Sequence, residues 1–480
     1  MTTHSDASPT GTQDAGFVQA ITRLDATALV VGSMIGSGIF ITSADIFRQV
    51  GSPGLMLVVW LVSGLMTLLG ALTYGELAAM FPKAGGQYVY LREGISPLFG
   101  YLYGWTLFMV IQTGTIAAVA VAFARFTAVF FPSLSADVFL GFTLPLPSGD
   151  VEVGLSVQRI LAIVSVLVLT WVNYWGVRTA AFIQTSLTLI KTAALVALIG
   201  LGLTIGRNAT AIAENFGSGF WAGGAAGLAV LPVIGAATVG ALFSMDAWNN
   251  VGFAGSELKK PSRDIPFAMG VGVLTVTVIY FLSNVAYLNV LTGSEIANAP
   301  QDRVGTAAMQ AMFGEPGLFL MAAAIMISTF GCNNGLILSG ARVYYVMARD
   351  DLFFRSAGRL HSTHHTPAVA LWIQALWTSV LCLSGTYSQL LDYVIMAAVL
   401  FYMLTVIGLF MLRRRRPDAE RPVRAPGYPW LPGAYIVLAA LICVDLLATK
   451  PQYTWPGLLI VAIGVPVYFI WRKLRPHEAS

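Results

Sequence analysis

The stretch Val30-Val-Gly-Ser-Met-Ile-Gly-Ser-Gly-Ile-Phe40 decides the fold of this chain. From Ala26 to Ile46 the sequence is apolar enough for a membrane-spanning helix, yet three glycines and two serines lie in its middle. Glycine costs a helix about 1 kcal/mol relative to alanine, and an unpaired backbone group in hydrocarbon costs several kcal/mol more. We therefore predict that this helix is interrupted, and that the freed backbone groups have a function.

Composition places the chain in a lipid bilayer. Of its 480 residues, 56% are hydrophobic and 10% are charged, whereas soluble domains carry about 25% charged residues. The cysteines Cys332, Cys382 and Cys443 all lie in apolar runs, so neither a disulfide framework nor a metal-ligand spacing follows from them. We predict an integral membrane protein with no cofactor and no metal.

Twelve apolar stretches, numbered here as segments 1 to 12, are long enough to cross a bilayer at about 20 residues per crossing. Their approximate bounds are 24–47, 54–80, 97–131, 157–175, 179–205, 229–255, 266–292, 316–348, 367–386, 389–412, 431–449 and 455–473. The prediction is an all-α membrane protein with twelve transmembrane helices and with loops over 132–156 and 206–228. The expected units are a mobile cytoplasmic tail over 1–22, segments 1–5 over 23–205, segments 6–10 over 229–412 and segments 11–12 over 431–474.

The positions of lysine and arginine predict the orientation, because cytoplasmic loops carry an excess of these residues. With twelve crossings both termini lie on one side, and that side receives 20 of the 27 basic residues. We therefore predict cytoplasmic termini. The arginine run at 413–416 is interpreted as a stop signal rather than a lipid or nucleic-acid patch. Glu76 and Glu257 are interpreted as helix-end carboxylates, with an inner-gate role as the alternative for Glu76.

Lys191 is the basic residue that belongs to neither side. It lies in the middle of segment 5, too central for its side chain to reach an interface. An ionisable group at this depth needs a partner or a watery cavity and is a functional hypothesis by default. Two compatible interpretations stay open: a functional role, and a structural tie in which the ammonium caps the carbonyls of an interrupted helix.

Segment 6 carries a second interruption, in Ala241-Leu-Phe-Ser-Met-Asp-Ala-Trp-Asn-Asn-Val-Gly-Phe253. Segments 1 and 6 are five segments apart, as expected if segments 1–5 and 6–10 are inverted copies of one unit. Two interrupted spans at matching positions are typical of a transporter's binding site. The reason is that free amides and carbonyls at half-helix ends can bind a carboxylate and an ammonium group.

Five motifs follow one another along the chain. They are Gly32-Ser-Met-Ile-Gly-Ser-Gly-Ile-Phe40, Phe81-Pro-Lys-Ala-Gly-Gly-Gln-Tyr-Val-Tyr-Leu-Arg-Glu93, Phe243 to Asn249, Glu257-Leu-Lys-Lys-Pro-Ser-Arg-Asp-Ile-Pro266, and Ser328-Thr-Phe-Gly-Cys-Asn-Asn-Gly335 with Arg342. Together they resemble the amino acid–polyamine–organocation (APC) superfamily over roughly residues 22–420. Asp-Ala-Trp-Asn followed by Glu-x-Lys-x-Pro is most similar to the L-type amino acid transporter (LAT) family, including its bacterial members.

This resemblance implies the leucine-transporter-type fold, a 5+5 inverted repeat with discontinuous helices 1 and 6. It also implies amino acid transport by alternating access, mostly as exchange, in the cell (inner) membrane. Sodium-coupled relatives of this fold place a cation between helices 1 and 8. In the sodium-independent branch a lysine on helix 5 occupies that place, and Lys191 matches it, so no sodium requirement is expected.

The resemblance also implies a set of substrate-binding residues. The α-carboxylate would be held at Gly36, Ser37 and Gly38, and the α-ammonium by carbonyls around Phe243, Ser244 and Asp246. The Phe243 ring would cover the site as an outer gate, with Lys191 as the other coupling residue. The remaining expected contacts are Met34 and Asn249.

One departure from the family concerns a partner protein. Animal members of this branch pair with a single-span glycoprotein through a cysteine between helices 3 and 4. Here residues 132–156 contain no cysteine and carry Asp137, Asp150 and Glu152. No disulfide-linked heavy subunit is therefore expected.

Other functions fit the sequence less well. None of the patterns HExxH, GxSxG, CxxC or GxxxxGK[ST] occurs, which argues against a membrane enzyme, and two interrupted spans argue against a channel. Proton-coupled uptake, with Lys191 exchanging a proton, stays open. For the substrate, the positions Met34, Ser244, Met245 and Asp246 favour neutral amino acids, while the Asp246 carboxylate leaves cationic amino acids or polyamines as the alternative.

Overall fold

The computed structural model describes residues 16–146, 149–224, 227–384 and 387–473 of the chain. The helices in these ranges are α1 (Arg23–Met34), α2 (Gly38–Val50), α3 (Pro53–Met80), α4 (Gln87–Gly94), α5 (Pro97–Thr106), α6 (Gln112–Thr127), α7 (Val157–Tyr174), α8 (Val177–Leu203), α9 (Ala209–Phe216), α10 (Val230–Ser244), α11 (Asn250–Phe253), α12 (Pro261–Val290), α13 (Gly293–Ala297), α14 (Val304–Phe313), α15 (Glu315–Arg349), α16 (Ala368–Ser384), α17 (Tyr387–Arg415), α18 (Trp430–Thr449) and α19 (Pro451–Lys473). A π-helical turn, Leu107–Ile111, joins α5 to α6.

Within these described ranges, 11 stretches of helix are long and apolar enough to cross a membrane. They correspond to segments 1–8 and 10–12, while segment 9 corresponds to α16, a shorter apolar helix of 17 residues. The predicted bounds differ from the observed ones by a few residues; segment 3, for example, ends at Thr127 rather than near 131. Length and hydropathy were therefore sufficient to find these helices.

Large apolar side chains cover the outer surface of the helices. Phe182, Leu189 and Leu274 are half-exposed or more, although each belongs to a long apolar helix. In water such a surface would be unfavourable, whereas in hydrocarbon it is the expected lipid-facing surface. The buried faces of the same helices pack against one another and surround segment 1, the most buried of the long helical stretches.

The helices pack in pairs that are five segments apart. α2 contacts α10, α3 contacts α12, α6 contacts α15, and α7 contacts α16. If two five-segment units are related by a two-fold axis, elements close to that axis contact their own counterparts. The observed pairing is therefore what an inverted repeat of segments 1–5 and 6–10 would produce.

The loop predicted over 132–156 contains two short strands, whereas the other elements of the described ranges are helices, as predicted. Strands β1 (Leu140–Leu146) and β2 (Gly149–Leu155) form an antiparallel hairpin there, with Phe142 opposite Val153. The alternation of apolar and polar residues in Val151-Glu-Val153 is the strand pattern that was overlooked. The predicted loop over 206–228 likewise contains the short helix α9.

Residues assigned to the cytoplasmic side from the basic-residue count contact one another in the structure. The N-terminal segment lies across the end of segment 6, where the Ile21 amide donates to the Glu257 carbonyl (2.9 Å). Beside it, Arg23 pairs with Asp264 at 2.7 Å. The residues assigned to the opposite side also meet, since Arg48 pairs with Asp302 at 2.8 Å. The predicted division of the loops into two faces is thus self-consistent.

Two carboxylates interpreted as simple helix ends are in fact buried and paired. Glu257 accepts two hydrogen bonds from the Arg342 guanidinium of α15 (2.8 and 2.9 Å), and both side chains are 1% exposed. Glu76 is also fully buried and accepts hydrogen bonds from Arg413, from Arg421 (3.1 Å) and from the Ala425 amide (2.8 Å). These contacts join the ends of helices that are far apart in sequence.

The Glu257–Arg342 pair leads to a stability prediction. We expect Glu257→Gln to destabilise the protein by about 3–5 kcal/mol, because it leaves the buried guanidinium without its counter-charge. Thermal unfolding of the purified protein in detergent measures this as a lower melting temperature. The matched control is Asp351→Asn, since Asp351 pairs with Arg355 at an exposed site (51% and 66% exposed) and should change stability by less than about 1 kcal/mol. Equal melting temperatures for both variants would contradict the prediction.

Candidate functional site

The interruption predicted in segment 1 is present. α1 ends at Met34 and α2 begins at Gly38, so residues 35–37 separate two half-helices. Ile35 leaves the helical region with φ −75° and ψ 87°. The last carbonyls of α1 and the first amides of α2 consequently have no partner within their own helices. In a bilayer these groups need other partners.

The Lys191 ammonium donates hydrogen bonds to the carbonyls at this interruption. Its side chain is 1% exposed, and its ammonium donates to the carbonyls of Gly32 (2.5 Å), Ile35 (2.7 Å) and Ser328 (3.2 Å). Because these atoms belong to α8, to the end of α1 and to α15, one buried cation joins three segments. The contacts are those of the structural tie suggested by the sequence.

Side chains from two other helices cap the remaining carbonyls of residues 32–36. The Ser328 hydroxyl lies 3.1 Å from the carbonyls of both Ile35 and Gly36, and the Cys332 thiol lies 3.0 Å from the Ser33 carbonyl. From α12, the Tyr280 hydroxyl donates to the Met34 carbonyl at 2.9 Å. The carbonyls at the carboxyl end of α1 are therefore capped by the protein, and the positive dipole end of α2 faces the same interruption.

Segment 6 is also interrupted. α10 ends at Ser244, and residues 245–249 are not helical before the short helix α11 begins at Asn250. Ala247 has φ 67°, a left-handed conformation that costs an alanine about 1–2 kcal/mol. Such strain persists only where the surrounding structure imposes it, and it is frequent at functional sites.

The two interruptions touch each other. A Cβ atom added to Gly38 would lie 2.2 Å from the Ser244 hydroxyl oxygen and 2.8 Å from its Cα. The hydroxyls of Thr42 and Ser244 are 3.1 Å apart. Tyr280 contacts both sites, because its hydroxyl also lies 3.2 Å from the Ser244 carbonyl. The glycine at 38 is thus required by the close approach of α2 to α10.

A small cavity of about 10 Å³ lies between the interruptions. Its walls are formed by Ser33, Met34, Gly36, Ser37, Gly38, Thr115, Val119, Phe243, Ser244, Asp246, Ala247 and Cys332. The buried Ser33 hydroxyl has no hydrogen-bond partner among the described residues. This volume is close to the minimum needed for one water molecule, so an amino acid can enter only if the walls move apart.

Seven of the eight predicted binding residues line this cavity, and Asn249 does not. The Asn249 amide donates instead to the Gln87 side chain at 2.7 Å, near the start of α4. Five of the twelve lining residues were not predicted from the sequence, among them Thr115 and Val119 of α6. A signal was available, since Gln112-Thr-Gly-Thr115 interrupts an apolar segment directly after the π-helical turn, and such turns are frequent at functional sites.

Asp246 lies between this cavity and a second one of about 20 Å³. The second cavity is lined by Met66, Thr67, Leu242, Met245, Asp246, Trp248, Ile395, Ala398, Val399, Tyr402 and Tyr435. The Tyr402 hydroxyl of α17 donates to the Asp246 carboxylate at 2.5 Å. No lysine, arginine or histidine of the described ranges forms an ion pair with Asp246. A buried carboxylate without a cation is therefore part of the site wall.

Comparison with known protein families decides which class of protein carries this site. Residues 21–469 match the family model described as amino acid permease. The chain belongs to the amino acid permease family. The match includes both interrupted segments and Lys191, and the family consists of transporters rather than enzymes.

Individual relatives of the permease align over nearly its whole length. The serine/threonine exchanger SteT of Bacillus subtilis (strain 168) is 30% identical over 97% of this chain and 99% of its own. The human large neutral amino acids transporter small subunit 2 is 31% identical over 97% of this chain and 83% of its own. The human Asc-type amino acid transporter 1 is 29% identical, with 97% and 85% covered.

The permease offers no evident metal site within the described ranges, where no group of three or more His, Cys, Asp or Glu side chains converges. Its three cysteines are buried and unpaired as thiols. The chemistry available at the two interruptions is therefore recognition by helix ends, hydroxyls, one carboxylate and one ammonium.

Proposed function

We propose that the permease exchanges neutral L-amino acids across the cell (inner) membrane by alternating access and without sodium. Its relatives support amino acid exchange, since they include a serine/threonine exchanger and a transporter of large neutral amino acids. The sodium-independent mechanism is supported by the hydrogen bonds that the Lys191 ammonium donates to the carbonyls of Gly32, Ile35 and Ser328.

The proposed architecture has twelve spans, with α16 as the ninth, and both termini in the cytoplasm. Residues 23–205 and 229–412 form the two inverted units of a leucine-transporter-type fold, and residues 431–474 are peripheral. The pairing of α2 with α10, α3 with α12, α6 with α15 and α7 with α16 supports this arrangement. The permease would work without a disulfide-linked heavy subunit, because residues 132–156 offer no cysteine.

In this mechanism the substrate binds between the two interruptions. The backbone at Gly36, Ser37 and Gly38, next to the amino end of α2, holds the α-carboxylate. Backbone carbonyls around Phe243, Ser244 and Asp246 hold the α-ammonium, and Phe243, which is 6% exposed, covers the site. Since the cavity holds about 10 Å³, binding requires a more open state, as alternating access demands.

Lys191 occupies the place where a sodium ion would otherwise join segments 1 and 8. The carbonyl oxygens that would coordinate the ion accept hydrogen bonds from the ammonium instead. A sodium ion about 4 Å from this charge would be repelled by about 4 kcal/mol at an effective dielectric constant of 20. The lysine therefore both replaces and excludes the ion.

Reconstituted liposomes test this function. We expect uptake of labelled alanine or leucine only into liposomes preloaded with an unlabelled amino acid, and the same rate when sodium is replaced by choline. Uptake into empty liposomes driven by a pH gradient would instead establish proton symport. Stimulation by sodium would contradict the assigned place of Lys191.

A cationic substrate is the second candidate, and the Asp246 carboxylate without a cationic partner is the observation that favours it. Arginine and putrescine should therefore be compared with alanine and leucine in the same preloaded liposomes. We expect the neutral amino acids to be exchanged faster. Transport of arginine or putrescine alone would overturn this assignment.

A further inference from the structure

The hairpin of β1 and β2 has one apolar face. Phe142 of β1 pairs with Val153 of β2, and residues paired in this way project their side chains from the same face of the sheet. The neighbouring pair on that face is Leu140 with Leu155. Thr143 projects from the opposite face, because side-chain direction alternates along a strand. The hairpin is therefore amphipathic.

The apolar face of the hairpin is exposed. Leu140 and Phe142 are 65% and 63% exposed. On the opposite face Val138 lies against the paired glycines, since Cβ atoms added to Gly141 and Gly154 would lie 2.8 and 2.7 Å from a Val138 methyl group. The preceding chain thus packs on the other face and leaves the large apolar side chains uncovered. Such an exposed apolar surface is typical of an interaction site.

Arg159 fixes the hairpin to the ends of two long apolar helices. It lies in the first turn of α7, and its Nη1 atom is 3.1 Å from the Glu152 carbonyl and 3.0 Å from the Gly154 carbonyl of β2. The same atom is 3.0 Å from the carbonyl of Leu383, the penultimate residue of α16. The hairpin consequently lies where α7 begins and α16 ends.

The lengths of these two helices place the hairpin at the membrane boundary. α7 has 18 residues and α16 has 17, which at 1.5 Å per residue corresponds to about 27 and 26 Å. The hydrocarbon core of a bilayer is about 30 Å thick, so neither helix extends far beyond it. Only Ser156 separates β2 from α7. The hairpin therefore lies at the level of the lipid headgroups.

Exposed apolar residues continue from the hairpin onto both helices. Val157 and Ile160 on α7 and Val380 on α16 are exposed, as expected for side chains in contact with lipid. The apolar face of the hairpin thus adjoins a surface that lipid already covers. This continuity favours the bilayer, rather than a second protein, as the partner of the face.

We propose that the hairpin lies on the membrane surface and inserts Leu140 and Phe142 between the lipids, anchoring the adjoining ends of α7 and α16. Amphipathic elements bury their apolar face in this way at the boundary between headgroups and acyl chains. Asp137 and Glu152 are exposed and acidic, so apolar insertion, and not attraction to anionic lipids, holds the hairpin. This role goes beyond the proposed exchange and does not depend on the substrate.

Fluorescence quenching at matched positions on the two faces tests this anchor. Because the three natural cysteines are buried, Phe142→Cys and Thr143→Cys can each be labelled with an NBD fluorophore in the full-length protein and reconstituted in phosphatidylcholine nanodiscs. We expect the label in Phe142→Cys to lie about 5–10 Å into the lipid boundary. A phospholipid with a nitroxide near the top of its acyl chain should then quench it more strongly than the label in Thr143→Cys, and its emission should be blue-shifted. Iodide in the water should quench the two labels in the reverse order.

Leu140→Cys and Glu152→Cys form a second matched pair, in which the same order is expected. Equal quenching by iodide within each pair would show that the hairpin stands in water, and would overturn the proposal. Protection of Phe142→Cys from both quenchers would also overturn it, because a protein surface would then cover the face, and light scattering of the nanodiscs would show whether a second copy supplies it. Exchange activity does not enter these measurements, so a failure of the proposed function is distinguished from a failure of the anchor.

Discussion

Lys191→Ala is expected to fold and insert, to retain substrate binding, and to lose most transport from the cytoplasmic side. The substitution leaves the Gly32 carbonyl without its partner, whereas Ser328 still donates to Ile35 and Gly36. Each lost hydrogen bond to a charged group is worth about 1.5–3 kcal/mol. Since about 1.4 kcal/mol changes a population tenfold, the loss of these hydrogen bonds strongly shifts the relative populations of the transport states.

Binding and exchange should be measured on the same preparation, by scintillation proximity and in liposomes respectively. Lys191→Met serves as the matched variant because it keeps an unbranched side chain of similar length without the charge. Lys83→Ala removes an exposed lysine and should exchange normally. If Lys191→Ala exchanges at the unmodified rate, the ammonium has no role in the mechanism.

Gly38→Ala is expected to abolish substrate binding. The new Cβ would lie 2.8 Å from the Cα of Ser244, a backbone atom that no rotamer change can move away. The backbones of α2 and α10 must therefore separate, which displaces the amides proposed to hold the α-carboxylate. A displacement of about 1 Å at a binding site can cost a hundredfold in activity.

Gly36→Ala is the control for this effect because it adds the same methyl group two residues away. Its Cβ would lie 3.0 Å from the Cys332 sulfur, the end of a side chain that can move by a few tenths of an ångström. We expect it to weaken binding much less than Gly38→Ala. Equal loss of binding in the two variants would show that the methyl group, and not the contact with Ser244, is responsible.

Local sequence patterns predicted most of the fold. The interruption around Gly36–Gly38 and the one around Asp246 were recognisable because glycine and polar residues are costly in a spanning helix. Lys191 was conspicuous for the same reason, since a charge within an apolar segment requires a partner. The hairpin of β1 and β2 was missed, although its alternating pattern is also local.

The sequence by itself determined that the chain spans a membrane, that segments 1 and 6 are interrupted, and that Lys191 is buried. The free-energy cost of burying a polar group or a charge applies to each residue wherever it packs. Composition and spacing therefore reveal such residues. Only the tertiary structure decided which atoms meet. Tyr280 and Met34 are 246 positions apart, and Glu257, at the end of segment 6, pairs with Arg342 in the interior. No local pattern specifies such contacts, because each depends on how distant helices pack; the same packing brings Gly38 against Ser244 and places Asp246 between two cavities.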